Sequence, residues 1–479
     1  MHKFPLALLC TTTALVSTEA ARAQATMTPL AGFGVNGWIA PGSTPYLTTG
    51  NTERGISYNP ATGNVLVVAR QNVGGVSNNV HVIDGATGAG LYQLDNTGIS
   101  GGTFAINMVD VDASGAIYAC NLSTSAGSAF KVYKWDDEVL GQTTPPTVAY
   151  DAISGVTRTG DSFAVTGGSG GNPAQFAAAG SNNISASNFV VGPLDGSNAS
   201  TAYLSVPGTG TASNDYRLSL TFIDQNTLIG NQGGLARLTS FAGGTATLAA
   251  SIPLGSSARR GMDYAVIGNT PVLAVIDTNS STVAVFDITD PTAPIELASA
   301  NATTGTLSGN INGAGAVAWG TISGTSATLY AMSTNQGIQA FTVDLSPLAG
   351  ASSYGTGCDG LGLNAGGGLP TLGNSAFELT VTNVPAISPL AFVGFGTVVV
   401  NPGVPLDSAG MAGCFAYTNL DLGVLGAGAI VGGNAPFPLP IPVDLTLPGT
   451  VLSSQAISFS LATALGLASS NGVEIVIGF

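Results

Sequence analysis

Residues Arg259–Ala300 run RRGMDYAVIGNTPVLAVIDTNSSTVAVFDITDPTAPIELASA, apolar runs punctuated by turn formers. Three apolar runs sit in it: Met262–Ile267, Val272–Ile276 and Thr282–Ile288. Gly268-Asn269-Thr270-Pro271 and Asp277-Thr278-Asn279-Ser280-Ser281 separate them. Runs of Val, Ala, Ile and Phe bounded by turn formers are strands. A fourth run, Ile295–Ser299, follows Asp290-Pro291-Thr292-Ala293-Pro294. Neither proline can donate to a ladder, so that segment is a connection into an outer strand. Four short strands in about 45 residues is the size of one propeller blade.

The unit recurs. Arg54-Gly55-Ile56-Ser57-Tyr58 parallels Arg260-Gly261-Met262-Asp263-Tyr264, and Val80-His81-Val82-Ile83-Asp84 parallels Val283-Ala284-Val285-Phe286-Asp287. A third copy runs through Gly315–Trp319, Ala327–Met332 and Gly337–Val343. Repetition at this period predicts an all-β fold built of units 54–100, 104–154, 161–208, 216–254, 259–303 and 312–346. That is a six-bladed β-propeller over 24–346, with seven blades as the alternative because 161–208 is irregular and Gly-rich. The last unit shows three clear strands. A strand within Met27–Phe33 is expected to supply the fourth.

Composition narrows the function. Charged residues are 8% of the chain, against about 25% in typical globular proteins. Glycine is abundant, at 67 of 479 residues. This suits turn-rich β structure and not helical bundles, whose solvent faces need Lys and Glu. The formal net charge is −15. The basic residues are scattered along the chain, and only Arg259 and Arg260 are adjacent. Nucleic acid and anionic lipid are therefore poor partners.

Residues 1–23 read as a secretory signal, with Lys3 in the n-region, an apolar stretch from Phe4 to Val16, and Ala21-Arg22-Ala23 as the cleavage site. No other segment offers the apolar length of a membrane-spanning helix, so the mature chain is expected to have no transmembrane span. Residues 347–357 read as a small-residue linker. From 351 to 479 there is no Lys, Arg or His, and strands such as Phe377–Thr382, Leu390–Phe395 and Val473–Ile477 alternate with Pro-rich turns.

Two resemblances follow from these residues. Val283–Pro291, reading VAVFDITDP, resembles the repeat of secreted bacterial propellers. Through Asn51–Pro60, Gly98–Phe104 and Ala116–Leu122, residues 38–345 resemble an uncharacterised secreted bacterial β-propeller family, a domain of unknown function of propeller-repeat type. Residues 358–479 resemble a C-terminal β module common on large secreted bacterial proteins, through Gly355–Cys358, Pro370–Asn374, Pro405–Asp407, Gly413-Cys414 and Ser469–Ile475. The first resemblance implies a fold and an address but no reaction. The second implies a β-sandwich and a disulfide between Cys358 and Cys414, which an exported chain permits.

The candidate chemistry is sparse. After signal removal His81 is the single histidine, and it lies between Val80 and Val82 as an ordinary strand residue. Ser-His-Asp, Cys-His and multi-His zinc sites all need more. Cys120 lies on a strand and reads as a structural thiol. Asp110-Val111-Asp112-Ala113-Ser114-Gly115 resembles the start of a calcium loop, with Asp110, Asp112 and Ser114 as ligands, but Asn121 stands where a bidentate Glu belongs. The same letters also make a strand–turn–strand. Asp136-Asp137-Glu138 reads as a solvated acidic loop rather than a glycosidase pair. Trp38, Trp135 and Trp319 read as packing residues. Gly167–Gly171 lacks the Lys and helix of a phosphate loop.

The expectation is an exported non-enzymatic binding or cell-envelope protein, located in the periplasm or at the outer surface. Its propeller face would meet a protein or glycan ligand, and its C-terminal module would serve attachment or sorting. No catalytic residue and no cofactor are assigned. The alternatives are a propeller hydrolase, lactonase or glycan-active, with calcium in a central channel bounded by Asp110, Asp224 and Asp263, and a structural surface component.

Overall fold

The computed structural model describes residues 25–70, 79–180, 189–203, 214–346, 349–444 and 447–478. The signal-sequence reading of 1–23 lies outside them. The chain divides into two compact units, Ala25–Leu345 and the unit containing Ser346–Phe479. Both are all-β, and no helix among the described residues is long and apolar enough to cross a membrane.

Residues Arg259–Ala300 form four antiparallel strands, Arg259–Ile267, Thr270–Asp277, Val283–Asp287 and Ile295–Ala300, each paired with the next. Four more four-stranded meanders and one five-stranded sheet accompany this stretch in sequence. Sheets one to four cover 53–93, 104–152, 162–203 and 219–253; the stretch above is sheet five; sheet six begins at Gly315–Ser323. In sheet six the fourth strand is Thr26–Pro29, which pairs with Gly337–Asp344 in the register Met27 to Val343. Trp38–Ile39 pairs with the same strand. The N-terminal strand expected within 27–33 thus fills the sheet, shifted by one residue and shorter.

Burial explains the strand order. The second strands, such as Asn64–Ala69 and Thr270–Asp277, are continuous apolar runs buried on both faces. The outer strand Ile295–Ala300 is mostly half-exposed. Each sheet packs its broad face on the next through a separate apolar core. Leu66, Val68 and Val82 of sheet one meet Ile117 and Trp135 of sheet two. The series continues to a core joining sheet six to sheet one, where Met332 and Ala340 meet Val65 and Val67. The first strand of each sheet also lies against the first strand of the next, and that of sheet six lies against that of sheet one. Gly261 shows why the Arg-Gly pair recurs: a Cβ there would come within 2.6 Å of the Gly315 backbone in the neighbouring first strand.

Phe33 and Ile39 are buried in the core between sheets six and one. Deleting residues 25–45 removes both, together with the fourth strand of sheet six. Their burial alone is worth roughly 3 kcal/mol or more. Thermal unfolding of the truncated chain is expected at least several degrees lower, and an unchanged midpoint would contradict this packing.

In the second unit a five-stranded sheet (Gly350–Tyr354, Leu467–Val476, Val451–Phe459, Ala391–Gly396 and Gly423–Gly426) and a three-stranded sheet (Gly362–Gly366, Glu378–Thr382 and Ala435–Pro438) share one apolar core. Leu363, Leu379 and Val381 from the smaller sheet meet Val393, Ala456 and Val473 from the larger. Cys358 and Cys414 are joined by a disulfide across a separation of 56 residues.

Candidate functional site

The first strands of all six sheets enclose a cavity of about 200 Å³. A wider cavity of about 630 Å³ shares its wall at Ser57, Asp110, Val165 and Asp263, and is rimmed by Tyr58, Tyr264, Val266, Trp319 and Ile322. At Met108 and Gly315 a third cavity, of about 250 Å³, shares the wall instead.

Asp110 and Asp263 occupy equivalent positions on the first strands of sheets two and five. Asp110 Oδ1 accepts hydrogen bonds from the Ser57 hydroxyl at 2.8 Å and from the Val111 amide at 2.9 Å, and Oδ2 accepts from the Val165 amide at 2.6 Å. Asp263 repeats the pattern three sheets on. Its Oδ1 accepts from the Thr221 hydroxyl and the Tyr264 amide, both at 2.8 Å, and its Oδ2 from the Trp319 amide at 2.9 Å. Each carboxylate therefore ties the first strands of three consecutive sheets together. Neither is in an ion pair among the described residues. Burial raises the carboxyl of Asp110 to about 7, with hydrogen bonds opposing and the charge of Asp263 adding a little. Burial likewise raises Asp263 to about 6.

The other sequence-flagged residues separate. Asp112 closes a turn: its Oδ1 accepts from the Ser114 amide, the Ser114 hydroxyl and the Ala116 amide, and its Oδ2 from the Tyr118 hydroxyl. The Asp110–Ser114 segment is thus the strand–turn–strand of sheet two, and Asp110 and Asp112 spend their oxygens on different partners. No group of three or more His, Cys, Asp or Glu among the described residues could hold a metal. Asp224 is exposed and caps the Asn226 amide, so it does not join Asp110 and Asp263. His81 is buried against Tyr46, with ring centroids 4.2 Å apart, and burial lowers its pKa to about 4. Cys120 is a buried free thiol whose pKa burial pushes upward.

The acidic trio does not form one solvated loop. Glu138 is 2% exposed, and accepts from Asn59, Thr62, Asn64 and Tyr92. It locks sheet one to the segment after sheet two's third strand. The signal for this was weak, because an acid following two exposed acids reads as surface.

Four of the eleven basic residues gather in space. Arg54, Arg70, Arg158 and Arg217 line the 250 Å³ cavity together with Asp161. Asp161 accepts from Arg158, through Nε and through Nη2 at 2.6 Å, and from Arg217 Nε at 3.0 Å. Arg70 donates to Asn107 and lies 3.5 Å from the centre of the Phe104 ring. The Arg54 guanidinium donates to the Asn51 carbonyl at 3.0 Å. Burial lowers the pKa of Arg54 and brings that of Arg70 down to about 9, with the Arg54 charge contributing to the latter. The sequence did carry a signal. Each of the four sits at the same edge of its repeat: Arg54 in a first strand, Arg158 and Arg217 in the segments leading into one, and Arg70 directly after a second.

No protein-family model matches the chain, and no curated protein does. Among solved structures, the chain is similar to a DUF4623 family protein from Bacteroides eggerthii, at 18% identity and a TM-score of 0.46 over 61% of this chain and 71% of that one. It is also similar to a putative oxidoreductase (glucose dehydrogenase) from Thermus thermophilus, at 12% identity and a TM-score of 0.34 over 61% and 96%. The Malassezia sympodialis allergen Mala s 1 matches at 12% identity and a TM-score of 0.37 over 60% and 91%.

Proposed function

We propose that the chain is an exported, non-enzymatic binding protein. In this reading its first unit is a six-bladed β-propeller, and its second is a β-sandwich for attachment or sorting at the cell envelope. The sequential packing of six sheets, with the sixth against the first, supports the propeller reading. The observation that carries the binding role is the 630 Å³ cavity. Its rim is aromatic and aliphatic, and its floor holds a few convergent polar groups, which is the make-up of ligand sites. Val266 is 49% exposed and Ile322 42%; both stand on the rim and are free to meet a glycan or a protein loop.

The test is capture of envelope glycans and proteins by the full chain, compared with the Val266→Asp and Ile322→Asp variants. Both side chains are exposed, so the substitutions should leave the thermal midpoint in place. Retention of a specific ligand is expected to fall about tenfold or more, as when an apolar contact is replaced by a charge that must be desolvated. Equal retention by the variants would remove the rim from the function.

A further inference from the structure

We propose that the arginine-lined cavity is a separate binding site for a small oxyanion carried on a monosaccharide-sized body, such as a sugar acid or a sugar phosphate. Four guanidinium groups gather here in a chain whose net charge is −15. Two carboxylates stand near them. Asp161 is engaged by Arg158 and Arg217, and Glu53 turns one oxygen to Thr48 and Thr52 and forms no ion pair among the described residues. Arg54 and Arg70 form no ion pair among the described residues, although the charge of Asp161 acts on both and that of Glu53 on Arg54. The Nε atoms of both are buried and have no hydrogen-bond partner among the described residues. A buried donor without an acceptor is costly, and a charged one more so. An oxyanion in the cavity would offset the positive charge gathered there.

The geometry is prepared for such a ligand. Arg70 is braced by Asn107 and by the Phe104 face, and Arg158 and Arg217 are held by a shared carboxylate. Guanidinium forks held in place lose little freedom on meeting a carboxylate or phosphate. Met108, Leu122 and Leu218 give the same cavity apolar wall for the body that carries the charge. A polyanion fits poorly, because the cavity is about 250 Å³ and the surrounding chain is acidic.

The experiment is calorimetric titration and thermal melting of the full chain with galacturonate, galactose 6-phosphate and, as the neutral control, galactose. At least one anionic sugar is expected to raise the melting midpoint and to bind about tenfold or more tightly than galactose, with affinity falling as salt is raised. Binding by galacturonate alone assigns a carboxylate ligand, and binding by galactose 6-phosphate alone assigns a phosphate. Arg217→Gln, which leaves the Arg158–Asp161 pair in place, should weaken binding about tenfold, the scale of one lost charge-assisted hydrogen bond. Arg54→Gln provides a second, independent loss. Lys134→Gln removes a charge outside the cavity and should leave binding unchanged, as should Val266→Asp and Ile322→Asp on the other opening. The proposal is overturned if neither anionic sugar binds better than galactose, or if Arg217→Gln and Arg54→Gln bind as the wild-type chain does.

Discussion

Replacing Cys358 and Cys414 together by alanine is expected to remove about 4 kcal/mol from the stability of the C-terminal unit, the chain-entropy value for a loop of this length. The bridge spans a separation of 56 residues. It fastens Gly357-Cys358, which enters the apolar core beside Leu361, to the segment before Phe415–Thr418. Without the bridge, one remaining tie is the backbone pairing of Cys358 with Ser469 at 2.9 Å. Hydrogen exchange followed by mass spectrometry reads the effect segment by segment. Peptides from 350–478 should exchange at least a hundredfold faster at their most protected amides, while peptides from 53–344 keep their protection. Equal protection in both chains would mean that the core alone sets the stability of this unit. In the wild-type chain from Gln24 onward, titration after unfolding without reductant should find one thiol, that of Cys120.

The strands were legible in the sequence where one residue pattern answered one physical demand. Thr270–Asp277 is buried on both faces, so it shows as an unbroken apolar run, and Gly268 and Ser281 at positive φ mark the turns beside it. The fourth strand of sheet six was legible from two signals together, a last unit one strand short of four and a strand pattern within Met27–Phe33. Thr26–Pro29 supplies it from more than 300 residues away. The arginine cavity was missed because the four residues are far apart in sequence, and only the repeat phase brings them to one opening. Glu138 was misread for the opposite reason: its neighbours Asp136 and Asp137 are exposed, and alternation along the chain hid the single buried member. Asp110 and Asp263 were legible together as acids facing one channel, with the exposed Asp224 wrongly grouped with them. Asp110 itself lies at the end of a strand rather than in the turn that its neighbours Asp112 and Ser114 suggest.

The Asp110–Asp263 pair makes the first unit more stable at acidic than at alkaline pH. An unfolded aspartate titrates near 3.8, while burial raises these two to about 7 and about 6. Between those limits the folded chain holds more protons than the unfolded one, so stability falls as pH rises from about 4 to about 7 and levels off above. Both side chains keep some accessible surface on the cavity, and water there solvates part of the charge. The loss is therefore on the order of 1–2 kcal/mol for each, below the full-burial figure of 1.36 kcal/mol per pKa unit. His81 acts in the opposite sense. Burial lowers it to about 4, so its contribution grows as pH rises toward 6.5, the ordinary histidine value. The wild-type profile alone sums the two. The Asp263→Asn variant separates them. Asparagine keeps an acceptor for Thr221 and Tyr264 but turns an NH₂ toward the Trp319 amide, so it should be less stable than wild type at pH 5. At pH 8 the wild-type chain carries the uncompensated charge, and the gap should close by about 1 kcal/mol or more, or reverse. Urea unfolding at the two pH values measures it, with tryptophan fluorescence as the reporter, since Trp38, Trp135 and Trp319 all lie in the first unit and the amide and indole of Trp319 both bond to Asp263. A gap of the same size at both pH values would show that Asp263 is ionised in the folded chain at no cost. The cavity would then have to supply a compensating cation or donor beyond the three hydrogen bonds described.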